Sequence, residues 1–389
     1  MQVVHTGEPF PARVTRSVFL AGPTPRSEDV ASWRPQALAA LEAAGWDDGA
    51  VFVPEDRPGR RRPGELCDAD YARQVAWERD GLARADAILC WVPRDMTTMP
   101  GLTTNVEVGL WATSGKLVLG LPPGAQHVRY LGSLADAERI PVATTLAAAV
   151  AAVVALVGPP LAREGGAAQV PLHVFRSPAF QRWYTAQTAA GNRLLGARVA
   201  FTLRTGPDRA WLFCAAVQVD VHVAAEGRRK TNEVVLARPD VAAVVLVRRD
   251  AQDPRRSLVG LVREFRSASS TSDGYVREPP SGSSFDSARP IDQVARDEVR
   301  EETGLVLAAD RLRPLGARQV AATLLTHAAH AWVVDLTQDE VDTLRAGAGV
   351  VHGADACERT WVELWTVDDL LRRPVLDWSS LGMVLAAVS

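Results

Sequence analysis

Three glutamates in the C-terminal part of the sequence have the type and spacing of metal ligands: Glu298, Glu301 and Glu302. At about 100° per residue, a helix over Ile291–Leu305 places all three on the face that also carries its apolar residues. Carboxylates that face inward repel one another and lose water, so they require a cation. Mg²⁺ (or Mn²⁺) binds carboxylate oxygens together with phosphate oxygens. The spacing therefore predicts a metal site, with ordinary helix glutamates as the alternative.

The N-terminal part alternates short apolar runs with helical patterns, which predicts a parallel sheet covered on both faces. Strands are predicted at residues 18–21, 51–53, 87–92 and 117–121, and helices at 30–44, 69–83, 104–113 and 146–157. Ligands of such α/β sheets bind at the carboxyl ends of the strands.

The C-terminal part has β-branched runs joined by turns, which predict an α+β domain around a mixed sheet. Strands are predicted at 199–203, 211–219, 232–237, 241–247, 257–262, 320–325 and 331–336, and helices at 290–303 and from about 338 and 367. Residues 159–171 are rich in Gly, Pro and Ala and are predicted to be a linker. The predicted domains are therefore residues 1–158 and 172–389.

Composition excludes several classes of protein. The chain has 389 residues, which is too long for one ordinary core. Its hydrophobic content of 47% and charged content of 23% argue against global disorder, and its net charge of −3 argues against general nucleic-acid binding. The longest apolar run, Leu146–Val157, is shorter than the roughly 20 residues that span a bilayer. No membrane association is therefore expected.

The cysteines are widely spaced, which argues against a zinc site or a disulfide framework and favours a cytoplasmic location. They are Cys67, Cys90, Cys214 and Cys357. The N-terminus has no apolar segment of the kind found in secretory signals.

The segment Gly282–Leu305 (GSSFDSARPIDQVARDEVREETGL) resembles a Nudix box, whose pattern is G-x5-E-x7-R-E-U-x-E-E-x-G-U with U aliphatic. Two preceding segments, LVREFR (Leu261–Arg266) and REPPSG (Arg277–Gly282), are similar to the strand and the E-x-P-x-G turn of ADP-ribose-type Nudix hydrolases. The sequence departs from the pattern by one residue inserted after Gly282 and at two further positions. The first glutamate is missing near Ala288 or Arg289, and the position of the arginine holds an aspartate, Asp297.

This resemblance implies Mg²⁺-dependent attack of water on a diphosphate, in which the metal polarises phosphoryl oxygens and activates the water. Glu298 and Glu302 would be metal ligands, and Glu301 a ligand or a base. Glu358 would be a base from a later loop, with a surface acid as the alternative.

Other residues of the same segments would contact the substrate. Arg263 and Arg266 would hold phosphate or ribose, because bidentate guanidinium groups suit that task, and surface charges are the alternative. Glu278, in the E-x-P-x-G turn, would also contact the substrate. The fold implied for this part is a Nudix mixed-sheet α/β/α domain.

Three segments of the N-terminal part together resemble the nucleoside 2-deoxyribosyltransferase-like family. They are VFLAGP (Val18–Pro23), WERDGLARADAILCWVPRD (Trp77–Asp95) and GLTTNVEVGLW (Gly101–Trp111). The resemblance covers about residues 18–131. It implies a flavodoxin-like fold and a reaction at an N-glycosidic bond.

Within this resemblance Glu107 matches the nucleophile that attacks the anomeric carbon, Asp80 matches a helix aspartate and Asp86 a second acid. A carboxylate can trap an oxocarbenium-like centre while another acid protonates the leaving base. For Glu107 the alternative is a capping box that begins at Thr104, in which it only bonds the helix start. For Asp86 the alternative is a turn residue at the entry to a strand.

Three more residues are expected to contact the substrate of this domain: Gly22, Pro23 and Asn105. A glycine at the end of a strand lets a ligand approach the backbone.

The two resemblances together predict a bifunctional nucleotide-processing enzyme. One domain would hydrolyse a nucleoside-diphosphate-linked substrate such as ADP-ribose or an NAD-like molecule, and the other would cleave or transfer at an N-glycosidic bond. A small-molecule nucleotide is the expected partner, and a homodimer or higher homo-oligomer the expected assembly. The alternatives are a nucleotide sensor that binds without turnover, and an active glycosidase with the second domain as a specificity module.

Overall fold

The computed structural model describes residues 1–27, 29–58, 68–285, 289–353 and 358–389. The chain divides into two compact units, Met1–Ala237 and Arg238–Ser389. Among the described residues, no helix is long and apolar enough to cross a membrane.

The first unit contains eleven strands and seven α-helices within its described ranges. The strands are β1 (Gln2–His5), β2 (Arg13–Val14), β3 (Ser17–Ala21), β4 (Ala50–Val53), β5 (Ala87–Trp91), β6 (Leu117–Gly120), β7 (Val142–Ala143), β8 (Arg163–Glu164), β9 (Arg193–Thr205), β10 (Trp211–Val223) and β11 (Arg228–Ala237). The helices are α1 (Arg34–Ala43), α2 (Asp68–Arg84), α3 (Leu102–Trp111), α4 (Arg129–Glu138), α5 (Leu146–Val157), α6 (Leu172–Phe175) and α7 (Pro178–Ala189).

A parallel sheet forms the centre of this unit, with the order β1-β4-β3-β5-β6-β7. Strands β3 to β6 are buried along their whole length, because α2, α3 and α4 cover one face and α1 and α5 the other. After the edge strand β1, the order matches the 2-1-3-4-5 arrangement of flavodoxin-like folds. The predicted parallel sheet with flanking helices is confirmed.

Among the helices that cover this sheet, three differ from the sequence prediction by two residues or more. Helix α1 begins at Arg34 instead of residue 30, with a proline in its first turn, and α3 begins at Leu102 instead of residue 104. Helix α4 was not predicted, since its sequence, RYLGSLADAE, contains a glycine and leaves Tyr130 exposed.

The structure also corrects the predicted linker at residues 159–171. This segment packs inside the first unit, and the division between the units falls after Ala237 instead. Gly166 shows the reason: a Cβ on this residue would lie 2.7 Å from the backbone nitrogen of Gly196 on β9. The small residues of the segment therefore permit close packing, and they bring the antiparallel sheet β11-β10-β9 into this unit.

The second unit contains seven strands and four α-helices among its described residues. The strands are β12 (Val241–Arg248), β13 (Leu258–Phe265), β14 (Tyr275–Glu278), β15 (Ser281–Ser283), β16 (Arg313–Gln319), β17 (Ala328–Asp335) and β18 (Thr360–Thr366). The helices are α8 (Ile291–Thr303), α9 (Gln338–Ala346), α10 (Val367–Arg372) and α11 (Trp378–Val388).

A mixed sheet with the order β14-β13-β12-β17-β16 lies between two layers of helices. Strands β12 and β17 pair in parallel, whereas the other pairs, including β12–β15 and β13–β18, are antiparallel. Helices α8 and α9 pack on one face, and α10 and α11 on the other. The predicted mixed sheet is confirmed.

The strand predicted at residues 320–325 is wrong, because these residues form a turn and the strand is β16, one segment earlier. Strand β16 lies at the edge of the sheet and is mostly exposed, so its sequence, RPLGARQ, lacks the alternation of a half-buried strand. Strand β18 and helix α11 were not predicted.

Candidate functional sites

Glu107 lies in the middle of α3, six positions after the N-cap residue Gly101. Gly101 has a left-handed backbone (φ 52°), and no side chain caps the helix start. Thr104 is therefore inside the helix, and the capping-box interpretation of Glu107 does not apply. The side chain of Glu107 is free for another role.

A second glutamate, Glu78 on α2, lies close enough to Glu107 to affect its ionisation. Burial raises the pKa of Glu107 to about 7, and the negative charge of Glu78 contributes to this rise. Burial also raises the pKa of Glu78, although a hydrogen bond from Gln74 acts in the opposite direction. Two half-desolvated carboxylates thus share one site, which is a typical arrangement for acid and base chemistry.

Arg34 is the cation that opposes both rises in pKa. Its side chain is 1% exposed and is fixed at the carboxyl end of β3. Its Nε donates to the carbonyl oxygen of Leu20 (3.1 Å), and its Nη2 to that of Gly22 (2.9 Å). Its Nη1 donates to the Glu55 carboxylate at 2.6 Å. Arg34 is therefore bonded at the carboxyl ends of two neighbouring strands. From there its positive charge acts on Glu78 and Glu107.

Gly22 and Pro23 lie at this edge of the sheet, where the sequence predicted them. Gly22 has a φ of 136°, and a Cβ on it would lie 2.1 Å from the carbonyl oxygen of Trp91 at the end of β5. A Cβ on Gly101 would lie 2.5 Å from a side-chain carbon of Pro23. The loop that follows β3 and the loop that precedes α3 are therefore in contact.

Asn105 is exposed on α3, two positions before Glu107 and thus on another side of the helix. Its Oδ1 accepts a hydrogen bond of 2.7 Å from Nη2 of Arg94. Arg94 is buried and also donates to the carbonyl oxygens of Gly101 (3.2 Å) and His127 (3.1 Å). Asn105 thus anchors the start of α3 and does not share the face of the glutamate pair.

The structure does not place Asp80 with Glu107. The Asp80 side chain is 52% exposed and pairs with Arg84 one turn later (2.6 Å). Glu78 lies two positions earlier and therefore faces a different side of α2. The sequence contained a signal for this, because Glu78 is three residues before the buried Gly81 and four before the buried Leu82.

Asp86 lies at the opposite end of the sheet from the glutamate pair, just before β5 begins. It is fully buried and accepts hydrogen bonds from the backbone nitrogens of Ser17 and Leu172, each at 2.7 Å. Nη2 of the fully buried Arg163 donates to it at 2.6 Å. Asp86 therefore fixes residues 163–172 to the sheet, and its predicted contact with substrate is corrected.

In the second unit, Glu302 and Glu298 on α8 face the short strand β15. Glu302 is 9% exposed, and one of its carboxylate oxygens accepts a hydrogen bond from the backbone nitrogen of Ser281 (3.0 Å). A Cβ on Gly282 would lie 1.8 Å from Oε1 of Glu298. Burial raises the pKa of Glu302 well above its usual range, and it raises the pKa of Glu298 to about 7.

Glu301 differs from these two residues. Its side chain is 41% exposed and lies 3.3 Å from Nη2 of Arg300. The prediction of three inward glutamates is therefore corrected to two, with Glu301 at the rim, where its charge still raises the pKa of Glu298.

Arg266 lies among further carboxylates of this site. Its Nη2 is 2.9 Å from Glu264 and 3.0 Å from Glu278, and the negative charge of Glu302 also acts on it. Glu264 is 7% exposed, and burial raises its pKa. Sequence reasoning missed Glu264, although alternation along β13 places even-numbered residues on the α8 face.

Arg263 points away from this cluster, because it is an odd-numbered residue of β13. Its guanidinium carbon lies 4.9 Å from the ring centres of both Tyr275 and Trp361, and its Nε is 3.5 Å from Glu363. The predicted grouping of Arg263 with Arg266 is therefore corrected.

Glu358 is exposed, and its negative charge raises the pKa of both Glu298 and Glu264. It therefore lies near the carboxylate cluster, as the prediction of a base from a later loop requires. Asp297 pairs with Arg289 and lies 3.4 Å from Arg300. Ala288, where the first Nudix glutamate was sought, is outside the described residues.

Within the described ranges, no group of three or more His, Cys, Asp or Glu side chains is arranged to hold a metal ion. The chemistry of the cluster still suits a hard cation. Glu264, Glu298 and Glu302 all have a raised pKa because burial removes water from their charged forms. Carboxylate oxygens in this condition gain stability from a divalent ion.

A cavity of about 380 Å³ and another of about 760 Å³ lie in the second unit. The larger one is lined by Arg266 and Glu278 of the carboxylate cluster, by the loop residues 268–273, and by residues 374–377. It provides a polar space for a ligand beside the acids.

Among curated proteins, none is similar enough to the chain to add a comparison. Residues 15–125 match the family described as "Nucleoside 2-deoxyribosyltransferase like". This range includes β3 to β6, Arg34, Glu78 and Glu107, and it ends before the second unit, whose Nudix resemblance stays a prediction. The N-terminal part of the chain is thus a nucleoside 2-deoxyribosyltransferase-like domain.

Proposed function

We propose that the N-terminal domain cleaves or transfers at the N-glycosidic bond of a nucleoside or nucleotide. The observation that carries this proposal is the half-buried pair Glu78 and Glu107, with Arg34 fixed beside it at the carboxyl edge of the sheet. Carboxylate pairs whose pKa values are raised by burial can hold one acid and one base at neutral pH.

The carboxylate of Glu107 would attack the anomeric carbon, so that a Glu107–carbon bond forms as the bond from carbon to the base nitrogen breaks. Glu78, whose pKa burial raises, would give a proton to the departing base. Attack by water or a second base on the same carbon would then release Glu107. Arg34 would stabilise the carboxylate of Glu107 before the first step and after the second.

The test is release of free base from a panel of nucleosides, deoxynucleosides and nucleoside 5′-phosphates, separated by chromatography. We expect Glu107→Gln to reduce release by about 10³-fold or more, because it removes the nucleophile. Asp80→Asn is the matched control, since Asp80 is an exposed acid on the same helix as Glu78. Equal release by wild type and Glu107→Gln would sink the proposal.

For the second unit we propose Mg²⁺-dependent hydrolysis of a nucleoside-diphosphate-linked substrate, such as ADP-ribose or an NAD-like molecule. The supporting observation is the set of desolvated carboxylates around Gly282, with one partly exposed arginine among them. Glu298 and Glu302 would hold the ion, with Glu301 at the rim, and the bound ion supplies charge for phosphoryl oxygens and an activated water.

Arg266 would move from its carboxylate partners to the substrate phosphates, and Glu358 would accept a proton from the attacking water. The larger cavity would receive the part of the substrate that extends beyond the diphosphate. ADP-ribose with Mg²⁺ is the first substrate to test, with Glu302→Gln as the inactivating variant. Asp292→Asn is the control, because Asp292 lies on the same helix and pairs with Arg296.

The sensing alternative makes a different prediction for the same protein. Nucleotide binding measured by calorimetry without product in either assay would favour a sensor and remove both hydrolytic proposals.

A further inference from the structure

An ion pair joins the chain just before α8 to the helix itself. Arg289 directly precedes Pro290, the N-cap residue of α8, and its guanidinium donates to the Asp297 carboxylate two turns further along the helix. Arg300, on the next turn, lies 3.4 Å from the other oxygen of Asp297. The chain that precedes α8 is thus bonded to the helix at two points, Ser281 and Arg289.

Arg289 and Asp297 are eight positions apart. The same separation joins the first glutamate and the arginine in the pattern that this segment resembles. In this chain the positive residue stands first and the negative residue second. Both charges of that pattern are therefore present, but in exchanged positions, and the structure brings them into contact.

We propose that Arg289 and Asp297 form a reversed ion pair, and that Arg289 is a positioning residue for the neighbouring Glu298. This inference rests on the diphosphate hydrolysis proposed for the second unit. In the pattern that this segment resembles, an arginine occupies the helix position that holds Asp297 here. Arg289, which lies just before the helix, would supply that positive charge.

Two observations support a role in positioning instead of in general stability. The Arg289 side chain is 41% exposed and that of Asp297 23%, and ion pairs so open to water contribute little to unfolding free energy. Yet Asp297 is adjacent to Glu298, and the charge of Arg289 acts on Glu298 against the surrounding negative charges. The pair therefore lies where it can set the direction of a carboxylate that would hold a metal ion.

The competing candidate is Arg300, which contacts both Asp297 and Glu301. Its side chain is 54% exposed. Arg289 approaches from outside the helix, whereas Arg300 lies on it, so Arg289 ties the chain before α8 to Asp297, the neighbour of Glu298.

The experiment compares Arg289→Glu, Asp297→Arg and the double exchange in the full chain. Each single change puts like charges together, and we expect it to weaken binding of Mn²⁺ alone, measured by electron paramagnetic resonance, by about tenfold. The double exchange restores opposite charges, and we expect binding within about threefold of wild type. The kcat for ADP-ribose should follow the same order, with a smaller change in KM.

The matched control reverses the other ion pair of the same helix, Asp292→Arg with Arg296→Glu. This pair has comparable exposure and a separation of 3.6 Å, and contributes no contact to Glu298. Its reversal should leave Mn²⁺ binding unchanged.

Single changes without effect on Mn²⁺ binding, or a double exchange no better than the singles, would overturn the proposal while leaving hydrolysis standing. Mn²⁺ binding that follows the expected order, without any diphosphate turnover, would retain the ion-pair role and remove the proposed function. If wild type binds no Mn²⁺ and hydrolyses nothing, both fall.

Discussion

Each unit contains two acids whose pKa burial raises, but their counter-charges differ. In the first unit, Glu78 and Glu107 have Arg34, which is 1% exposed and bonded to two backbone carbonyl oxygens. In the second, Glu298 and Glu302 have Arg266, which is 45% exposed and already pairs with other carboxylates. Arg34 is buried and fixed, and it also pairs with Glu55, whereas Arg266 is partly open to water.

An added ion is therefore proposed for the second site alone. A fixed, fully bonded guanidinium can stabilise a carboxylate through a reaction without a metal. A surplus of desolvated carboxylates is costly until a cation binds. The two proposed reactions should therefore respond in opposite ways to the same treatments.

Chelation should produce the largest contrast. We expect EDTA to abolish diphosphate hydrolysis by the second unit and to leave base release by the first unchanged, because only the former depends on surplus carboxylates. Both products can be measured from one sample, and excess Mg²⁺ should restore the hydrolysis. Base release that falls with EDTA would contradict the distinction between the sites.

The buried ion pair of Asp86 and Arg163 should dominate stability rather than catalysis. Asp86→Ala leaves a buried guanidinium without its partner, which costs about 3–5 kcal/mol of unfolding free energy. Urea unfolding monitored by tryptophan fluorescence measures this loss. Asp80→Ala, at an exposed position, should stay within about 0.5 kcal/mol of wild type.

Gly282 offers a test at the second site alone. Because a Cβ would lie 1.8 Å from Oε1 of Glu298, Gly282→Ala must displace that carboxylate. Displacement of a reactive group by about 1 Å reduces turnover by about 10²-fold, so diphosphate hydrolysis should fall while base release is unchanged. Gly382→Ala on α11 is the control, since nothing lies within 4 Å of its added Cβ.

Strong local patterns determined what could be predicted from the sequence. The apolar run of α5 and the amphipathic pattern of α8 gave both helices nearly to the residue, and Gly304 ends α8 as a left-handed C-cap. Glu107 could be named as a candidate because its motif is local. The carboxyl-edge placement of Gly22 followed from the parallel sheet.

The remainder depends on tertiary contacts that sequence spacing does not encode. Glu78 and Asp80 differ by two helical positions, so a shift of alignment selects an exposed acid instead of the buried one. Residues 159–171 have the composition of a flexible linker, but Gly166 is small because β9 lies against it. Glu264 joins the second site only through its pairing in the sheet.

The smallest expected effect concerns pH at the first site. Glu107 attacks as a carboxylate, and its pKa is raised to about 7, so base release should increase as pH rises through that value. Glu78→Gln removes a neighbouring negative charge that helps raise this pKa. The increase should therefore move to lower pH, even though the maximal rate falls because the proton donor is lost.

The measurement is the pH profile of kcat/KM for base release, which reports pKa values of the free protein, with Asp80→Asn as the control that should retain the wild-type profile. An increase that stays in place or moves to higher pH would separate Glu78 from Glu107. The first site would then contain one functional acid. It would differ in this from the second site, where two carboxylates are proposed to act together.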